Sequence, residues 1–99
     1  MANNTGRFYK EIEDYVNKSV ASYLMPIRNV ESIKCKHVVT TNKTYIELVY
    51  EDSNIRYFDA SDMGMSEIGI MVGHIVANNP IRYEIKDRLE KREVRKLFR

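Results

Sequence analysis

The apolar residues of this chain change their spacing once, and that change divides the fold. Phe8, Ile12, Val16, Val20 and Leu24 recur every four residues, with Tyr15 and Tyr23 on the flank, as on one face of a helix. From Val30 the period becomes two: Ile33, Cys35, His37 and Val39 alternate with Lys34, Lys36, Val38 and Thr40, as in a half-buried strand. Pro26 stands between the two regimes and pushes Met25 out of helical geometry, so the first helix is expected over about 5–24. Asn4 or Thr5 can cap it, and Glu11, Glu13 and Asp14 lie toward the positive end of its dipole.

Thr41-Asn42-Lys43-Thr44 supplies a turn into a second alternating run, in which Ile46, Leu48 and Tyr50 share one face. A two-residue turn at Asn42-Lys43 would set Val39 opposite Ile46, His37 opposite Leu48, Cys35 opposite Tyr50 and Lys34 opposite Glu51. Asp52-Ser53-Asn54 then turns the chain into Ile55-Arg56-Tyr57-Phe58. A two-residue turn here pairs Glu51 with Arg56 but leaves Leu48 facing Asp59. A three-residue turn with a bulge pairs Leu48 with Phe58 and is favoured, because it keeps the apolar face continuous. Residues 30–59 are thus read as a three-stranded antiparallel meander.

Ser61 or Asp62 is expected to cap a second helix over 62–78, with Met65, Ile68, Met71, Val72, Ile75 and Val76 covering most of its circumference. Gly64, Gly69 and Gly73 each cost such a helix roughly 1 kcal/mol relative to alanine. A helix carrying that cost usually gains close backbone approach to another element. Asn78-Asn79-Pro80 breaks it and restarts the chain as a basic helix over 80–97, with Ile81, Ile85 and Leu89 in one stripe. Glu84 with Arg88 and Asp87 with Lys91 would pair across its turns. The expected fold is α+β in the order α-β-β-β-α-α, a single domain over residues 1–99, with no internal repeat or linker.

At 99 residues, 43% apolar and 30% charged, the chain is a globular domain rather than a fibre or a disordered tail. Its longest weakly charged stretch, Met63 to Ala77, falls short of the roughly 20 apolar residues a bilayer span needs, so no membrane partner is expected. One cysteine, Cys35, cannot staple the fold to itself, which suits a reducing compartment, and the expected location is the cytoplasm. The net charge of +2 is unevenly divided. Residues 80–99 hold eight basic groups against four acids, so this end carries +4 and residues 1–79 carry −2. An acidic partner, nucleic acid included, would meet Arg88, Lys91, Arg92, Arg95, Lys96 and Arg99.

Cys35, His37 and His74 are the soft-ligand or nucleophile candidates, but Cys and His two apart on a strand is not a zinc spacing, and a buried Cys and a hydrogen-bonded core His account for them better. Asp59, Ser61, Asp62 and Glu67 fall where a helix start wants capping oxygens, which explains them without catalysis. No phosphate-loop spacing occurs around Gly64–Gly73. No catalytic residue, metal or cofactor is therefore assigned, and the chain is not expected to be an enzyme.

Seven tyrosines are many for this length, and Tyr45 with Val49 and Val38 falls on the outward sheet face, to be covered by the third helix or offered to a partner. The order helix-strand-strand-strand-helix is similar to that of double-stranded RNA-binding domains in order alone. Their second helix opens on a lysine cluster, whereas this one reads Ser61-Asp62-Met63-Gly64. With its added C-terminal helix, the order also resembles some small phage-encoded inhibitors of bacterial defence, without a shared residue motif. The expected function is a non-enzymatic protein-interaction module, an accessory or inhibitory factor of phage or mobile-element type acting on a larger machine. Its protein interface is expected at Tyr45, Val49, Val38, Gly69 and Gly73, with homodimerisation as a corollary. The alternative is nucleic-acid binding through the basic C-terminal helix.

Overall fold

The computed structural model describes residues 10–99, without the side chains of Ile27 and Arg28. The caps expected at Asn4 or Thr5, and Phe8 at the head of the apolar stripe, lie outside the described residues. Within them the elements follow the order helix, three-stranded antiparallel meander, helix, helix, an α+β fold.

The first helix, α1, covers residues 10–28 and carries a π-helical turn, Tyr15–Val20, ahead of an α-helical end, Ala21–Arg28. The π turn answers the four-residue spacing of the stripe. In an α-helix each step of four residues overshoots a full turn by about 40°, so a long stripe of this kind winds off the core. Hydrogen bonding from i to i+5 fits more residues into each turn and takes that drift back. Ile12, Val16, Val20 and Leu24 all stay buried, none above 5% exposed. The expected stop at Pro26 is corrected: the helix runs through the proline to Arg28 and ends at Asn29, left-handed at φ 56°, whose N–H reaches the Met25 carbonyl. Proline removes one donor near the helix end, and the left-handed Asn29 supplies the cap that closes the helix after it.

Strands β1 (Val30–Val38) and β2 (Lys43–Tyr50) pair with Cys35 opposite Ile46 and Ile33 opposite Leu48. The expected register, with Cys35 opposite Tyr50, is off by four residues. An even slip leaves every side chain on its own face, so alternation alone does not separate the two registers. The observed one widens the loop to 39–42, with Asn42 at φ 55°, and sets Thr44 beside His37. There the Thr44 hydroxyl meets His37 Nδ1 at 2.8 Å. Strand β3 (Ile55–Asp59) follows a loop over 51–54, in which Ser53 has φ 74° and the Tyr50 N–H donates to the Asn54 carbonyl at 2.8 Å. The favoured pairing of Leu48 with Phe58 across a turn at Asp52-Ser53-Asn54 is corrected: Phe58 faces Ile46 and Leu48 faces Arg56, a slip of two residues that leaves the faces unchanged.

The second helix, α2, is Met65–Val76 and starts at Gly64 rather than at Ser61 or Asp62; the Glu67 carboxylate accepts the Gly64 N–H and closes the first turn. The third, α3, is Arg88–Leu97 alone. The helix expected over 80–97 therefore begins eight residues late, because Ile81 and Ile85 are wanted on opposite sides of the sheet. Ile81 joins the main core with α1 and α2, whereas Ile85 packs with Tyr57 and Val94 under α3. A helix would put both on one face. Instead the chain turns at 81–84 and bridges Glu84 to Phe58 along the outer edge of β3. The result is three layers: α1 and α2, the sheet, then α3.

Both sheet edges are covered over part of their length, which reduces the usual liability of unpaired strand N–H groups. Segment 83–85 covers β3 through Asp59 N–H to the Tyr83 carbonyl (3.1 Å) and Ile85 N–H to the Tyr57 carbonyl (2.8 Å). On β1 the outward N–H groups of Cys35 and His37 donate to Asn17 Oδ1 (2.8 Å) and Glu13 Oε2 (2.7 Å), four residues apart on α1. Asn17→Ala is expected to cost about 1 kcal/mol by stranding one donor, with Asn17→Asp costing less because it keeps an acceptor. Chemical denaturation of the two variants, with hydrogen exchange at the Cys35 amide, checks this.

Candidate interaction surfaces

Two exposed faces stand out. The first is the outer side of α2. Ile68, Met71, Val72 and Ile75 turn inward and are buried. On the other side lie Ser66, Gly69, Ile70, Gly73 and Ala77, all exposed, with Met65 beside them. Its centre, around Gly69, Ile70 and Gly73, holds no charged residue, with the exposed Glu67 and His74 at its margin, and Ile70 is 64% exposed. A Cβ built at Gly69 or Gly73 would meet no other part of the described chain within 4 Å, so neither glycine serves the close internal approach expected of it.

The second face is the solvent side of α3. Arg88, Arg92 and Arg95 follow one another at i, i+4 and i+7 and therefore share one stripe. Arg99 joins them, lining one shallow depression with Arg92, Arg95 and Lys96. The four acids among residues 80–99 are turned to other tasks. Glu84 is gripped by Arg56, Asp87 caps α3 by accepting the Glu90 N–H at 3.2 Å, Glu93 pairs with Lys96 at 3.5 Å, and Glu90 lines a depression with Lys43 and Asp59. Among the described residues no carboxylate lies within ion-pair distance of Arg88, Arg92, Arg95 or Arg99. The expected pairs Glu84 with Arg88 and Asp87 with Lys91 are replaced, because the first acid sits on the β3 edge and the second outside the helix.

The sheet face carrying Tyr45, Val49 and Val38 is the one α3 lies on. Tyr45 packs with Ile55 and Phe98 around Tyr57, Ile85 and Val94, while Val38 and Val49 stay half-buried. Beneath α3 sits a group the sequence does not mark: Glu47, 7% exposed, accepts the Tyr57 hydroxyl at 2.9 Å. Burial, and then this carboxylate, push the Tyr57 phenol up to about 12. Alternation puts Glu47 on an outward strand face, and only the return of α3 buries it.

The other candidate residues have structural partners. Cys35 is buried and its thiol is pushed up to about 12, first by burial and then by the Glu13 carboxylate, so it is a poor nucleophile. His37 shares its face, whereas His74 is exposed on α2. Asp59 accepts the Ser61 N–H (3.0 Å) and hydroxyl, and Ser61 Oγ accepts the Thr44 N–H at 3.2 Å, tying the β3–α2 loop to β2. Among the described residues no three His, Cys, Asp or Glu side chains are grouped to hold a metal ion. Likewise none of their helices is long and apolar enough to cross a membrane. Comparison with protein families, characterised proteins and solved structures finds no match to this chain.

Proposed function

We propose that this chain is a non-enzymatic interaction module that docks on a protein partner through the outer face of α2, as an accessory or inhibitory factor would. The observation that carries this reading is a cost without an internal return. Gly69 and Gly73 each forfeit roughly 1 kcal/mol of helix stability relative to alanine. Nothing else in the described chain approaches them closely enough to need the missing methyl. A close helix approach from outside supplies the reason, with uncharged Ser66, Ile70 and Ala77 around the glycines as the contact surface. A second copy of the chain is the simplest partner, since a glycine-notched helix accepts its own twin about a two-fold axis.

Ile70→Glu tests the face without disturbing the fold, because a surface position of this kind changes stability by about 0.5 kcal/mol at most. Sedimentation equilibrium of the wild type is expected to show reversible association that the variant loses. A wild type that stays monomeric at high concentration removes the second copy as the partner. Variant and wild type capturing the same proteins equally well removes the face.

A further inference from the structure

We propose that the arginine stripe of α3 is a binding site for the phosphate backbone of duplex DNA, without base specificity. The proposal stands apart from the docking face on α2, which lies on the other side of the sheet.

Four arginines gathered on one surface with no carboxylate partner repel one another, and folding gains nothing from that arrangement. The helix dipole accounts for Arg95 and Lys96, which lie in the last turn of α3. It does not account for Arg88, the first residue of the helix, where the dipole is positive and a cation is disfavoured. Nor does ordinary surface mixing account for the stripe: the one acid paired on this helix surface, Glu93, reaches Lys96 and none of the four arginines. Past the helix, Lys34 and Lys36 of β1 line a depression together with Leu97, Phe98 and Arg99, with Glu31 as the acid in its lining. A track of cations running from Arg88 to the β1 lysines is complementary to a row of phosphates.

The side chains between these cations select the kind of nucleic acid. Single strands are held by aromatic platforms on which bases stack. Here Tyr45 and Tyr57 are turned into the layer between sheet and α3, and the half-buried Phe98 packs toward Tyr57 with ring centroids 6.2 Å apart, although it also lines the β1 depression. The large apolar side chain left exposed on α3 is Leu89, which has no ring. The surface therefore grips phosphates and not bases, as on a duplex whose bases are already stacked. An exposed helix face suits the B-form major groove, about 12 Å wide, whereas the deep and narrow A-form groove of RNA excludes a helix.

The test is fluorescence anisotropy with a labelled DNA duplex of arbitrary sequence, titrated with the full chain at several salt concentrations. With four phosphates engaged the affinity is expected to fall about a hundred-fold between roughly 50 and 200 mM salt. Arg88→Gln with Arg92→Gln should shallow the logarithmic salt slope by about 1.8, or about 0.9 for each arginine neutralised, and weaken binding at least ten-fold at low salt. Glutamine is a good helix former and both sites are exposed, so an unchanged melting curve shows that the fold is intact. Absence of binding at low salt overturns the proposal, as does a double variant that binds like the wild type. Equal or tighter binding of single-stranded DNA or duplex RNA overturns the assignment to duplex DNA.

Discussion

Replacing Gly69 and Gly73 together by alanine is expected to make the isolated chain more stable and the docked chain weaker. Both glycines lie inside α2, have no positive φ, and leave open space where a methyl would go. Each substitution should recover about 1 kcal/mol of helix propensity, and the pair about 2 kcal/mol. For a domain of this size that raises the melting temperature by about 8–16 °C, read by thermal denaturation at low protein concentration. The same two methyls would push a closely packed partner helix away, and at least a ten-fold loss of association is expected. The opposite signs make the result diagnostic. Stabilisation with undiminished association would mean that the glycines do not face the partner, and destabilisation would mean that they serve the fold in some other way.

Arg56→Ala is expected to cost about 2–3 kcal/mol, or roughly 10–20 °C in melting temperature. Arg56 reaches Glu84 through two bonds, Nη2 to Oε1 at 2.6 Å and Nε to Oε2 at 3.1 Å, and its Nη1 donates to the Tyr50 hydroxyl at 3.1 Å. The guanidinium also lies 5.3 Å from the centroid of the Phe58 ring. Both charged side chains are largely withdrawn from water, at 22% and 17% exposure, so removing the arginine strands a carboxylate on the edge of β3. This pair ties segment 83–85 to the sheet, and that segment leads into α3. Hydrogen exchange at the Ile85 amide, bonded to the Tyr57 carbonyl, should therefore rise in the variant together with that of α3.

The same pair gives a pH dependence of definite sign. Its hydrogen bonds to Arg56 hold the Glu84 carboxyl below its ordinary value. The stabilisation is complete above the pKa of an unfolded glutamate, about 4.3, and is lost as the pH falls through the lowered folded value. Glu84→Gln should be less stable than the wild type near neutrality, and the gap should close in acid. A gap that stays constant down to the acid transition would remove the ion pair as its cause.

The order of elements was legible because the apolar period changes from four to two at a proline and the later breaks fall at Asn and Pro. Two finer features are also written in the chain. A stripe spaced by strictly four residues is a hint of a π turn, since in an ordinary α-helix Ile12 through Leu24 would drift by about 120° around the axis, which the π turn narrows. Asp87-Arg88-Leu89-Glu90 has the spacing of a capping sequence, and Asp87 does cap α3, yet Pro80 offered an earlier and equally acceptable start. What decided between them was tertiary: Ile81 and Ile85 belong to different cores.

Strand register was less legible for a simple reason. Slips of two or four residues leave the faces unchanged, and the loops at Asn42 and Ser53 accept several lengths. Long-range pairs such as Arg56 with Glu84, and Glu13 and Asn17 with the edge of β1, leave no local trace at all. Sequence showed the basic residues of the C-terminal end but not their sorting. Interleaved acids look neutralising along the chain, and only the fold shows Glu84 turned to Arg56, Asp87 capping α3 and Glu93 paired with Lys96 rather than with an arginine. Gly69 and Gly73 were visible as a cost to α2, while the open space beside them was not.

Affinity capture from the source cell, run in parallel for wild type and Ile70→Glu with nuclease added to both, tests the docking face most directly. The account predicts a discrete protein, or a second copy of the chain, that survives nuclease with the wild type and disappears with the variant. Recovery of the same proteins by both forms, or capture by the wild type that vanishes with nuclease, would contradict it.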